Sequence, residues 1–243
     1  MKRLTVVWVT GLFLLGILSS PGMSQNAKDI LAKMIEVQGG RAALEKIKDT
    51  TMTGTMEIIQ FGLSGSLSIH IKEPDKARMD MEFMGMVVTQ AFDGENGWGV
   101  NPQTGAVEDM PEDQAKEMKR MALGNASLLN PEKYGITYTY KGKETIEGKD
   151  YFVLEQAFED GHTTTMYVDA QTYVMYKTKE MSTNMAGLQE EAEAFYGDYK
   201  KVDGVMMFHS MRVVQGGEEA MTMTITEVSF NTGLEDSFFK KEE

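Results

Sequence analysis

The stretch from Leu67 to Pro102 reads LSIHIKEPDKARMDMEFMGMVVTQAFDGENGWGVNP. Leu67, Ile69 and Ile71 alternate with Ser66, Ser68 and His70. After a turn at Glu73-Pro74-Asp75, Ala77, Met79, Met81 and Phe83 alternate with Arg78, Asp80 and Glu82. A period of two on both sides of a turn predicts two antiparallel strands, each with one apolar and one polar face. Met84-Gly85 breaks the pattern, Val87 to Phe92 reads as a third strand, and Asp93-Gly94 turns it into a fourth at Trp98-Gly99-Val100. Four strands in succession without a helix between them predict an antiparallel meander.

The pattern extends outward from this stretch in both directions. Upstream, Thr50 to Ile59 alternates with Met52, Met56 and Ile58 on one side, and Gly62 to Gly65 reads as its hairpin loop. Before it, Ile30, Leu31, Met34 and Ile35 share a helical face, Gly39-Gly40 interrupts it, and Ala43, Leu44 and Ile47 resume it in a second short helix. Downstream, Pro111 opens a helix whose Ala115, Met118, Met121 and Ala122 form one stripe, with Glu112 and Asp113 suited to its positive end. Gly124 to Pro131 reads as a loop. From there strands follow one another: Ile136–Lys141, Lys149–Phe158, Thr163–Val168, Tyr173–Lys179, Glu190–Lys200, Val205–Val214 and Met221–Phe230.

The expected fold is mainly β with a few helices. About eleven antiparallel strands must dispose of their edges, and a curved sheet approaching closure, an incomplete barrel or half-barrel covered by helices, does so. No linker or low-complexity tract divides residues 25–243, so one domain is expected there.

Residues 1–24 stand apart. Lys2 and Arg3 precede an apolar run from Val6 to Leu18, and Ser19-Ser20-Pro21-Gly22 breaks it before Ser24. This is the pattern of a secretory signal peptide cleaved after Ser24, since Gly22 and Ser24 supply the small residues the peptidase reads. The run is also short of the ~20 apolar residues that a spanning helix needs. No cysteine follows, which excludes a lipid-anchored bacterial lipoprotein as well as disulfides, thiol nucleophiles and thiolate metal sites. Removing Lys2 and Arg3 takes the net charge from −13 to −15. So acidic a chain has no basic stripe for nucleic acid and no attraction to anionic membrane surfaces.

Three short pieces of sequence carry a family resemblance in this order of elements: Lys72-Glu73-Pro74 between two strands, Asp93-Gly94 followed by Trp98 and Asn101-Pro102, and Met166-Tyr167-Val168-Asp169. With them the chain resembles the LolA family of periplasmic lipoprotein carriers and the wider set of outer-membrane lipoprotein-sorting proteins. The resemblance implies a LolA/LolB-like half-barrel, monomeric and periplasmic. It would hold the acyl chains of a lipoprotein, or another lipid, between an inner-membrane donor and an outer-membrane acceptor. Such a carrier has no catalytic residue, cofactor or metal. Family carriers tend to have a basic residue directly before the turn proline, where this chain has Glu73.

The chain has 21 methionines, an excess that fits such a cavity. Unbranched thioethers fill irregular space and re-pack around varied apolar ligands, although they also serve in ordinary cores. The expected cavity lining is Met52, Met56, Leu67, Ile69, Met79, Met81, Phe83, Trp98, Met118, Met121, Met207 and Met223. Trp98 reads either as a cavity-mouth residue with its indole N–H bonded or as a packed hairpin residue. Arg78, pointing away from Ala77 and Met79, reads as a solvated strand charge. Two other functions are weaker: an envelope sensor with the same fold, and a secreted hydrolase. His70, His162 and His209 lack metal-ligand spacing, and Gly62-Leu63-Ser64-Gly65-Ser66 has the wrong spacing for a nucleophile elbow.

Overall fold

The computed structural model describes residues 26–183 and 187–241, so the expected signal peptide lies outside the described residues. The alternating segments form strands β1 (Asp49–Ile58), β2 (Leu63–Lys72), β3 (Lys76–Phe83), β4 (Met86–Phe92), β5 (Gly97–Val100), β6 (Val107–Asp109), β7 (Thr137–Ile146), β8 (Lys149–Ala157), β9 (Thr163–Asp169), β10 (Met175–Thr183), β11 (Gln189–Gly197), β12 (Lys200–Val202), β13 (Val205–Met207), β14 (Ser210–Gln215) and β15 (Glu218–Phe230). The helices are α1 (Ala27–Val37), α2 (Arg41–Leu44), α3 (Glu112–Ala122) and α4 (Ala126–Leu129).

Among the described residues, thirteen strands make one antiparallel sheet in the order β6-β5-β4-β3-β2-β1-β15-β14-β11-β10-β9-β8-β7, while β12 and β13 pair separately. The stretch from Leu67 to Pro102 supplies β2 to β5, paired in sequence as the alternation predicts. The sheet exceeds the expected strand number for two local reasons. A three-residue edge strand such as β6 is too short to show a period. The run Glu190–Lys200 is cut at Asp198, whose φ of +50° ends the extended conformation, and Val205–Val214 is divided between β13 and β14. The expected loop Gly62–Gly65 is instead a helical turn at Ile59–Phe61, with Gly65 inside β2.

The sheet stays open, with β6 and β7 as its edges, and the chain between them runs through α3 and α4. Three packed regions cover its inner face. Ile30, Leu31 and Met34 of α1 lie on Phe152, Leu154, Met166 and Val168 of β8 and β9. Met118 and Ala122 of α3 lie on Ala77 and Phe92. Between them Met52, Met56, Leu67, Ile69, Phe83, Met223, Ile225 and Val228 pack on one another. Two glycines make these approaches possible. A Cβ on Gly54, at the register shift of β1, would lie 2.0 Å from Thr224 O, and one on Gly97 would lie 2.7 Å from the Ala115 side chain of α3.

The outer face carries the C-terminal turn Asp236–Phe239 as a strap. Phe239 is fully buried, and the Trp98 indole Nε1 donates to its carbonyl at 2.8 Å. The Arg78 guanidinium sits 4.5 Å from the centre of the Phe238 ring, donates to the Phe238 carbonyl at 2.9 Å and forks onto Asp80. Arg78 does point away from Ala77 and Met79, but it is not a solvated charge. It anchors the strap through a cation–π contact and a carboxylate pair.

Candidate functional site

The helix spacing of α3 presents three kinds of side chain. Met118 and Ala122 face the sheet, Met121 reaches the central apolar region, and Asp113, Glu117 and Arg120 lie along the flank. The flank overlooks a cavity of about 540 Å³. Met79, Met110, Met118 and Met121 form apolar wall on one side, and Asp160, His162 and Glu180 lie opposite. Ligand cavities run from about 300 to 1,000 Å³ and combine apolar lining with a few convergent polar groups, a description this space meets.

The polar wall is largely self-satisfied. Arg120 Nη1 donates to Asp160 Oδ2 at 2.6 Å, tying α3 to the β8–β9 turn. Glu180 Oε2 accepts from Thr164 Oγ1 at 2.8 Å and lies 3.1 Å from His162 Nε2. Burial pushes the Glu180 carboxyl up, but the bonds from His162 and Thr164 outweigh it and hold the group below its ordinary range. Glu117 behaves oppositely: burial, then the Glu180 charge, raise it. Among the described residues there is no group of three or more His, Cys, Asp or Glu arranged to hold a metal ion.

A second polar anchor stands at the β2–β3 turn. The Glu73 carboxylate accepts from Asn125 N at 3.0 Å and from Asn125 Nδ2 at 2.8 Å, fixing the start of α4. Burial raises this carboxyl, opposed by those Asn125 bonds.

The structure separates the twelve expected lining residues into three groups. Met79, Met118 and Met121 line the cavity. Met52, Met56, Leu67, Ile69, Phe83 and Met223 are buried beside it in close-packed core, with Met81 and Met207 partly buried against them. They do not face open space because Val202, Met207 and Phe208, on and just after the β12–β13 hairpin, pack into the central region. Trp98 is on the other side of the sheet. It pairs with Ala91, which pairs with Arg78, so all three share a register row whose side chains point outward. Its indole is bonded, as the sequence allows, but to the strap and not at a cavity mouth.

Glu117, Arg120, Asp160, His162, Thr164 and Glu180 were not singled out as a site, being spread over a helix, a turn and two strands. One signal was present in β10, where Lys177 and Lys179 alternate with Thr178 and Glu180. A strand polar on both faces, inside a large sheet, has one polar face turned inward.

A family described as "Uncharacterized protein" matches residues 69–243. A search of curated proteins gives no match. Among solved structures, a LolA superfamily protein from Nitrosomonas europaea superposes with a TM-score of 0.61 at 14% identity, over 89% of this chain and 98% of that one. The chain belongs to the family whose model matches residues 69–243, and its fold is LolA-like. A domain described as an outer membrane lipoprotein-sorting protein, from Vibrio parahaemolyticus, shares the LolA-like arrangement with a TM-score of 0.58 and 18% identity, over 86% of this chain and 97% of that one. A DUF1329 family protein from Desulfovibrio piger does so at 0.60 and 15%, over 88% and 96%. Among the described residues of this LolA-like chain, no helix is long and apolar enough to cross a membrane.

Proposed function

We propose that the protein is a monomeric periplasmic carrier that binds the acyl chains of lipoproteins, or another lipid, and passes them from an inner-membrane donor towards an outer-membrane acceptor. A cleaved signal peptide over residues 1–24 would deliver it there as one domain, residues 25–243. The observation that carries this reading is the continuity between the cavity under α3 and the methionine-rich inner face. Met79 and Met121 line the cavity and also pack on the central region of Met52, Met56 and Met223. Thioether chains re-pack at low cost, so a chain entering beside Met121 extends into a surface that yields to it. The buried contact of α3 rests on Met118 and Ala122, which leaves the cover easier to shift than the sheet beneath it. No step of this function needs a catalytic group, cofactor or metal.

Protein purified gently from its own envelope and weighed by native mass spectrometry is expected to carry a bound lipid mass. Delipidated protein is expected to take up a fluorescent acyl probe. If there is neither co-purified lipid nor probe uptake, the carrier reading fails.

A further inference from the structure

The charges of the cavity under α3 are unequally provided for. Arg120 is bonded to Asp160, Glu180 is bonded by Thr164 beside His162, and Lys116 is paired with Glu112 one turn back along the helix. Asp113 lies in the first turn of α3, where the positive end of the helix offsets it. Glu117 sits in mid-helix and, among the described residues, has neither a hydrogen bond nor an ion pair. Glu117 as a residue is exposed, while its carboxyl is crowded enough by the groups lining the cavity for burial to raise it. Its neighbours in the lining are the thioethers of Met118 and Met121 on its own helix, with Met79 on the facing sheet.

An unpaired carboxylate set beside an apolar wall selects its ligand on two grounds. The four carboxylates of the lining face only Lys116 and Arg120 as permanent cations, and both cations are engaged, so an anionic head such as a free fatty-acid carboxylate or a phosphate is repelled. A neutral head gains a hydrogen bond but leaves the Glu117 charge unneutralised beside the apolar wall. Resting on the carrier reading above, the geometry points to an amphiphile with a protonated amine head: its ammonium bonds to Glu117 and its chain lies along Met79, Met118 and Met121. Glu180, across the cavity, adds to the negative potential without giving up its own bonds. Burial and then the Glu180 charge raise the Glu117 carboxyl; burial penalises any charge, but the Glu180 contribution is a negative potential that attracts a positive head.

Displacement of a neutral fluorescent acyl probe from the full chain tests this with four competitors below their micelle concentrations: dodecylammonium, dodecanol, dodecanoate and ethylammonium. Dodecylammonium is expected to bind at least about tenfold more tightly than dodecanol and dodecanoate, and ethylammonium not to compete. Glu117→Gln, a change at an exposed side chain, is expected to remove the amine preference by bringing dodecylammonium down to the level of dodecanol. Equal binding of amine and alcohol, or an amine preference that survives Glu117→Gln, overturns the inference while leaving the carrier reading intact. Competition by ethylammonium alone makes the ligand a small amine and overturns it too. If the probe itself does not bind, the carrier reading fails first.

Discussion

The two halves of the sheet are covered by helices of equal length to opposite effect. Over β8 and β9, α1 buries Ile30, Leu31 and Met34, with Ile35 beside them against Leu44 and Ile47, and the strand residues beneath, Leu154 and Val168, are fully excluded from solvent. Over β3 and β4, α3 buries Met118 and Ala122 only, and a cavity opens along its flank. The difference lies in the width of the apolar stripe. A helix with four large apolar residues on one face fills the groove it lies in, whereas one that alternates Met with Ala and carries carboxylates on its flank cannot. One half of the molecule is scaffold, and the other is left with space to spend on a ligand.

The largest test of that contrast is in the scaffold half. Leu154→Ala removes a fully buried side chain under α1 and is expected to cost about 2–5 kcal/mol in urea unfolding, with acyl-probe binding unaffected per folded molecule. A cost well under about 1 kcal/mol would mean that this half also has room to collapse. The same residue type gives the next comparison. Met34 is 1% exposed while Met121 is partly buried at the cavity. Met34→Ala is expected to fall in the same range, and Met121→Ala to cost roughly 1 kcal/mol while weakening probe binding severalfold. Equal costs at the two positions would erase the distinction between halves.

Smaller effects follow from the polar wall. Asp160→Asn breaks the Arg120 tie and is expected to lower stability by about 1 kcal/mol or less, since the pair is partly exposed, but to speed probe uptake in stopped-flow mixing. The smallest effect is in pH. Glu117 holds its proton more tightly in the folded chain than in the unfolded one. As pH rises through and above the ordinary carboxyl value of 4.5, the folded chain therefore keeps more protons than the unfolded one, and stability falls across that window. Glu117→Gln is expected to flatten this shallow slope, and an unchanged slope would place its origin in another group.

Much of the fold was legible in the sequence because the strands alternate cleanly wherever one face meets the core. Leu67 to Phe92 has the period, the turns and the pairing that its residues announce, and the α1 stripe is buried as its spacing requires. What was not legible depends on distance in space. Whether an inward methionine meets a cavity or another side chain is decided by the β12–β13 hairpin, far away in sequence, which is why Met52 and Met223 are core and Met121 is not. The side on which Trp98 lies follows from pairing register with Ala91, which the glycines around it hide from a hydropathy pattern. The polar wall combines a helix, a turn and two strands, and each contribution alone looks like surface.

The place of β15 has a consequence for how the molecule is made. It is the last strand in sequence, yet it lies inside the sheet, between β1 and β14. A growing chain can pair β1 through β6 and, separately, β7 through β11 with β14, but the two meanders present open edges until Glu218–Phe230 is available to join them. Assembly therefore waits on the longest-range pairing in the sheet, which makes it slow and its intermediates adhesive. Such a chain benefits from being kept unpaired until it is complete.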